Sequence, residues 1–181
     1  MKRILLFGST GQVGWELHRS LQPLGQVRAA SHGEADFSEP ETLRRLIREY
    51  QPHVIVNAAA YTDVDMAERN LSVAHCINAR APHVMADEAV RLGALLVHYS
   101  SDYVFDGTNE LPYSEEDEPN PLNVYGESKI AGDRAIRSSG CRYIILRTSW
   151  IYSLRRSNFL LKILNLAKKQ EELRVVTDQI G

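Results

Sequence analysis

Cysteine is scarce in this chain. Only Cys76 and Cys141 occur in 181 residues, far apart and without a CxxC spacing. That sets aside a disulfide scaffold and a cysteine-based metal framework, and leaves two reduced thiols as the expectation. The histidines, His18, His32, His53, His75, His83 and His98, form no HExxH pair and have no cysteine partners at zinc spacing. No resident metal is expected from them. An excess of positive charge is also missing: 21 Lys+Arg stand against 23 Asp+Glu, a formal net charge of −2. Without a broad basic field, nucleic acid is not an expected partner. Nor is there a long apolar run. The opening one, Ile4 to Phe7, ends in glycine after four residues, far short of the ~20 that span a bilayer. The expectation is a soluble, cytoplasmic protein with no membrane partner. Internal repeats and low-complexity tracts are absent too.

What is present is a hydrophobic content of 44%, enough to build one core, and residues 1–181 read as a single globular unit. Short apolar runs recur at regular intervals: RILLFG (3–8), VRAA (27–30), HVIVNAAA (53–60), ALLVHYSS (94–101), RYIILRTS (142–149) and LRVV (173–176). They are continuous rather than alternating, as strands buried on both faces are, which predicts a parallel sheet. The intervening segments carry helical spacing, as in Leu43, Leu46, Ile47 and Tyr50, or Ala86, Ala89, Val90 and Leu92 ahead of a stop at Gly93. Six strand–helix alternations predict an α/β, doubly wound domain. Residues 106–123, DGTNELPYSEEDEPNPLN, break the rhythm and read as a long surface loop of the kind that often carries function.

The first run ends in GSTGQVG, with Gly8, Gly11 and Gly14 spaced GxxGxxG ahead of a helix starting near Gln12. Such a turn lets backbone N–H groups approach a pyrophosphate, with the helix N-terminus adding positive potential. A dinucleotide is expected there, on Gly8, Thr10, Gly11, Gln12, Val13 and Gly14. The second run ends in RAASHGEADF, with no carboxylate at its tip. Arg28, Ser31 and His32 nearby lean towards tolerance of a ribose 2′-phosphate. Asp36 and Phe37 are either a polar and aromatic pair flanking an adenine or a turn acid and a core aromatic. The small residues Ala58, Ala59 and Ala60 at the end of the third run would let a cofactor lie close to the strand.

Tyr125 and Lys129 stand four residues apart in YGESK. On a helix they share one face, and a neighbouring cation would lower the pKa of the phenol. Hydride arriving at a ketone builds charge on the carbonyl oxygen, which must be hydrogen-bonded and then protonated. Tyr125 would supply the proton, with the Ser101 hydroxyl at the end of the fourth run bonding the same oxygen. Ser100 is the neighbouring alternative.

Taken together, GSTGQVG, YSSDYVFDG, PLNVYGESKIAGD and RTSWIY resemble the extended short-chain dehydrogenase/reductase superfamily and, within it, the family of dTDP-4-dehydrorhamnose reductases. The likeness runs over nearly the whole chain. It implies an NAD(P)-binding Rossmann fold and reduction, by NADPH or NADH, of the 4-keto group of dTDP-4-dehydro-L-rhamnose, a nucleotide-sugar, in dTDP-L-rhamnose synthesis. The family's catalytic Ser/Thr, Tyr and Lys map onto Ser101, Tyr125 and Lys129, with serine where threonine is usual. The lysine then also binds the nicotinamide ribose, and DF lies near the adenine. The resemblance further implies that Tyr103, Phe105 and Trp150 line the sugar pocket. Some members form a homodimer through a Mg2+ site whose glutamate matches Glu16, although an exposed glutamate near a helix start is a simpler account here.

Members of that family continue past DQIG into a C-terminal substrate portion. Residues 1–181 are therefore expected to be a cofactor-binding domain, truncated before that portion, that binds dinucleotide with little turnover. Two other readings compete. One is a catalytically silent dinucleotide-binding regulatory subunit, which would have no need of Ser101, Tyr125 and Lys129. The other is an epimerase or dehydratase of another nucleotide-sugar, for which Asp102 could serve as the extra acid.

Overall fold

Five of the six apolar runs form strands in the computed structural model, which describes residues 1–175. They are β1 (Arg3–Phe7), β2 (Gln26–Ala29), β3 (Val54–Asn57), β4 (Leu95–Ser101) and β5 (Arg142–Thr148). Of the sixth run, residues 173–175 form no strand and Val176 lies outside the described residues. All pairings are parallel, in the order β2-β1-β3-β4-β5. This is one of the common doubly wound orders, and its direction of winding reverses between β1 and β3. In-step registers, Phe7 beside Asn57 and Asn57 beside His98, bring the ends of β1 and β3 level, while β4 and β5 run on beyond them to Ser101 beside Thr148.

Among the described residues seven α-helices connect and follow the strands: α1 (Gln12–Ser20), α2 (Pro40–Tyr50), α3 (Val64–Ala67), α4 (Leu71–His75), α5 (Ala81–Leu92), α6 (Val124–Ser138) and α7 (Phe159–Ala167). A π-helical turn over Cys76–Arg80 joins α4 to α5. Because successive strand residues point to opposite faces, β1 feeds two cores. Leu5 and Phe7 pack with Ile55 and Leu96 against Leu43 and Ile47 of α2, Met85 and Ala89 of α5 and Ile136 of α6. Ile4 and Leu6 pack with Val56 against Leu17 of α1 and Leu21 just beyond it. Burial of each such large aliphatic side chain contributes about 1.5–3 kcal/mol.

The helical stripe read in α5 holds except at Val90, which is half exposed. Ala86 and Ala89 face the core, and one further residue rotates about 100° around the helix, out of it. Gly93 ends that helix in the left-handed region, at φ 62°. Glu88, on the same helix, is almost wholly buried and accepts from Arg44 and Arg48 of α2 and from Arg91, at 2.8–2.9 Å, which ties the two helices together. Both cysteines are free, Cys141 buried and Cys76 partly so. No helix among the described residues is long and apolar enough to cross a membrane.

Candidate active site

The reversal between β1 and β3 opens a cleft at the strand ends. Gly8 leaves β1 at φ 79°, a conformation that suits glycine, and its carbonyl accepts the Gly11 N–H at 2.9 Å. Any Cβ on Gly8 would run into the backbone of Ala58 and Ala59, and one on Gly14 would overlap the Gly8 carbonyl. Glycine spacing is thus a packing requirement between α1 and two strand ends. No side chain caps α1, so its first N–H groups are left for another acceptor.

A cavity of about 490 Å³ runs from this turn to α6. At one end it is walled by Gly8, Thr10, Gly11, Gln12 and Val13, with Ala58, Ala59 and Ala60 facing them. At the other end lie Ser101, Tyr103, Tyr125, Lys129 and Trp150. Gly14 sits underneath rather than on the wall. The cavity also takes in residues that the sequence did not single out for it: Thr62, Thr148, Ile151 and Arg156. Arg156 reaches back to donate to the Thr10 carbonyl at 2.9 Å, and Asn158 donates to Gln12 Oε1 at 2.9 Å. Trp150 holds an uncommon φ of 50° at the cleft and meets Phe159 edge-on at 5.3 Å, so it is no core tryptophan.

Helix α6 begins where Asn123 Oδ1 accepts the Gly126 N–H at 2.8 Å. That cap fixes the first turn and carries Tyr125 to the cavity, where Tyr103 meets it edge-on at 5.5 Å. Ser101 Oγ lies close enough to the phenol to draw its pKa down, but burial is the larger effect and pushes it up, helped by Asp102, Tyr103 and Asp133. The expectation that Lys129 would make Tyr125 more acidic is therefore corrected. The lysine's Nζ turns below the cleft floor, donating to the Tyr99 carbonyl at 2.7 Å and standing 3.4 Å from His98 Nε2. A phenol held protonated suits an acid waiting to donate.

Below Lys129 lies a buried polar group that was not anticipated. Asn57 Oδ1 accepts the Ala59 N–H, so its amide donates to His98 Nδ1 at 3.0 Å. This assigns the imidazole proton to Nε2, which faces Lys129 and, at 3.7 Å, Asp133 Oδ1. Asp133 Oδ2 accepts from Ser100 at 2.7 Å, while Oδ1 has no hydrogen-bond partner. Burial raises the pKa of Asp133 and holds His98 neutral. Tyr125, Lys129 and Asp133, at i, i+4 and i+8, form one helical stripe, and that spacing was the signal available for finding Asp133.

Burial also lowers Lys129 from 10.5 to about 8, against the opposing pull of Asp133. Between those values the unfolded chain holds a proton that the folded chain has lost, so this group makes the fold more stable as pH rises through the window. Lys129→Met should flatten that rise in denaturant melts between pH 8 and 10.5. An unchanged slope would show that the lysine titrates as it does in water.

Besides Gly14, four predicted residues fall outside the cavity. Phe37 is buried against Phe7, edge-on at 5.7 Å, and Asp36 Oδ1 accepts from the N–H and hydroxyl of Ser38. Of the two alternatives for that pair, the structure has the turn acid and the core aromatic. Phe105 is stacked on Tyr113 at 4.1 Å with the Arg147 guanidinium over it at 4.8 Å. Glu16 is exposed and paired with Arg19 at 2.8 Å. Among the described residues no three His, Cys, Asp or Glu side chains converge as metal ligands. Loop 106–123 is organised on Asp106, which accepts from Thr108, Tyr113 and Asn120, and contributes no cavity wall.

Over residues 1–181 the sequence matches the family described as the RmlD substrate binding domain. The chain belongs to that family. It is 49% identical over 179 residues to the dTDP-4-dehydrorhamnose reductase of Burkholderia thailandensis, covering 99% of this chain and 60% of the relative. To the enzyme of the same name from Escherichia coli K12 it is 48% identical over 182 residues, covering 98% and 61%. The crystal structure of dTDP-4-dehydrorhamnose reductase from Bacillus anthracis in complex with NADP superposes with a TM-score of 0.93 at 36% identity, over 98% of this chain and 64% of that one. This RmlD-family chain thus spans about 60% of the length of the curated relatives it matches.

Proposed function

We propose that residues 1–181 are the dinucleotide-binding and proton-transferring part of an NAD(P)H-dependent reductase that acts on the 4-keto group of dTDP-4-dehydro-L-rhamnose to give dTDP-L-rhamnose. One observation carries this reading: the glycine turn, Ser101, Tyr125 and Lys129 share a single cleft at the reversal of the sheet. The names of the relatives supply the substrate.

The residues fit a dinucleotide. The uncapped N–H groups of α1 need an acceptor such as a pyrophosphate, and the glycines leave room for nothing but backbone there. When bound, the reduced nicotinamide would supply the hydride. Tyr125 would donate its proton to the carbonyl oxygen as charge grows on it. Ser101 Oγ now donates to Asp102 Oδ1 at 3.0 Å and would turn to the same oxygen. Lys129, charged at neutral pH, would have to lift its Nζ from the Tyr99 carbonyl to reach the nicotinamide ribose, and only from there would it favour the phenolate left behind. Tyr103 and Trp150, both half exposed at the cleft, would offer aromatic surface to the sugar. Dinucleotide binding is the part of this activity that residues 1–181 are expected to carry, and the relatives' further length is left out of the reading.

Titration with NADPH and with NADH tests the reading by thermal stabilisation. Ligand at a hundred times its Kd should add about 2.7 kcal/mol. No stabilisation by either dinucleotide would overturn it.

A further inference from the structure

Past β2 the chain doubles back and places Glu34 at the strand's tip. Glu34 Oε2 accepts the Ser31 backbone N–H at 2.9 Å and the Ser31 hydroxyl at 2.8 Å, and Oε1 accepts from Arg28 Nη2 at 2.9 Å. Three donors, one of them charged, converge on one carboxylate. They form an anion seat filled by the chain's own side chain. The carboxylate that the second strand lacks in sequence is thus delivered to its tip by the following turn.

The two partners are held unequally. Arg28 is braced from other directions, with its guanidinium over the Tyr50 ring at 5.5 Å and 4.0 Å from Glu49. It would stay in place without Glu34. Glu34 is partly exposed and follows Gly33, around which space is open; its backbone N–H donates to the Ser31 carbonyl at 3.1 Å, while its side chain is anchored at the carboxylate alone. Such a side chain can swing away without disturbing the core. Its pKa is held down to about 2, chiefly by the Ser31 N–H and then by Arg28, so at neutral pH it is a full negative charge.

The location gives the seat a meaning. β2 lies next to β1, and β1 ends in the glycine turn. In doubly wound sheets the tip of the strand beside that turn meets the adenosine ribose, where an acid accepts the 2′-hydroxyl and an arginine accommodates a 2′-phosphate. Here both residues are present, and one occupies the other.

We infer that Glu34 sets the choice between NADH and NADPH: seated on Ser31 and Arg28 it accepts the 2′-hydroxyl of NADH, and swung out it yields the same donors to the 2′-phosphate of NADPH. The inference rests on the dinucleotide reading above. A seated carboxylate repels the phosphate, so NADPH binds only as tightly as the displacement of Glu34 allows.

Calorimetric titration of wild type, Glu34→Gln and Glu34→Ala with both dinucleotides, at one fixed salt concentration, tests this. Removing the charge should shift the ratio of the NADH and NADPH dissociation constants about tenfold or more towards NADPH, the size expected when charge-assisted hydrogen bonds change hands. Arg28→Leu added to Glu34→Ala should cancel that gain and leave NADH within about twofold. Glu34→Gln keeps the side chain's shape, so it decides the matter should the alanine variant fold poorly. If wild type binds both dinucleotides and the ratio moves by less than about twofold, the role of Glu34 is refuted while the dinucleotide reading stands. If wild type binds neither, both fall together.

Discussion

Tyr125→Phe is expected to slow ketone reduction about a hundredfold to ten-thousandfold, the range lost with a positioned general acid, while leaving NADPH affinity nearly unchanged. The phenylalanine keeps the edge-on packing with Tyr103 and the buried position at the start of α6. Only the hydroxyl goes. Because burial holds that hydroxyl protonated rather than ionised, the loss should show as slower proton delivery, not weaker binding. Single turnovers, with the protein in excess over dTDP-4-dehydro-L-rhamnose and NADPH oxidation followed by absorbance, would read it even where steady-state turnover is low. A variant that reduces the ketone at the wild-type rate would remove Tyr125 from the chemistry and shift attention to Ser101 and Asp102.

The second large effect is expected from Gly14→Ala. An added Cβ would overlap the Gly8 carbonyl and crowd Ser9 Cα, and both obstacles are backbone, so no rotamer change relieves them. Overpacking of this kind costs about 1–3 kcal/mol. In a chain of this size that lowers the melting temperature by several degrees, at about 2–4 °C per kcal/mol. Dinucleotide stabilisation should vanish as well, since separating α1 from β1 moves the N–H groups that would hold the pyrophosphate. Gly33→Ala is the matched control, with no atom within contact of its new Cβ. Equal melting temperatures for the two variants would mean that the close approach at the glycine turn is not needed.

Much of the scaffold can be read from local pattern. Continuous apolar runs mark strands covered on both faces, and β1, β3 and β4 are such strands. The glycine spacing marks a close backbone approach, and the Tyr125–Lys129 spacing marks one helical face. What is not legible depends on where distant residues meet. Phe37 reads equally as an adenine neighbour or a core aromatic until Phe7 is seen against it. Glu34 looks like a loop residue until the turn folds it onto Arg28. Arg156 lies 146 residues from the Thr10 carbonyl it bonds, and no short-range pattern announces such a contact. The direction of the Lys129 ammonium is not legible for a related reason: sharing a face with Tyr125 fixes the side of the helix, but the carbonyl of Tyr99 and the ring of His98, both on β4, decide where the charge settles.

The polar group beneath the cleft has a consequence for how this sequence can change. Asn57, His98, Lys129 and Asp133 are all buried where aliphatic side chains would pack with less penalty, and Asp133 keeps one oxygen without a hydrogen-bond partner. A population of variants selected only for heat resistance should therefore accumulate apolar replacements at these positions early. Each would harden the sheet and dismantle the support of Lys129, and the survivors would be sturdy proteins without a reaction. Retention of all four polar residues under neutral drift would then be a record of selection for chemistry rather than for folding.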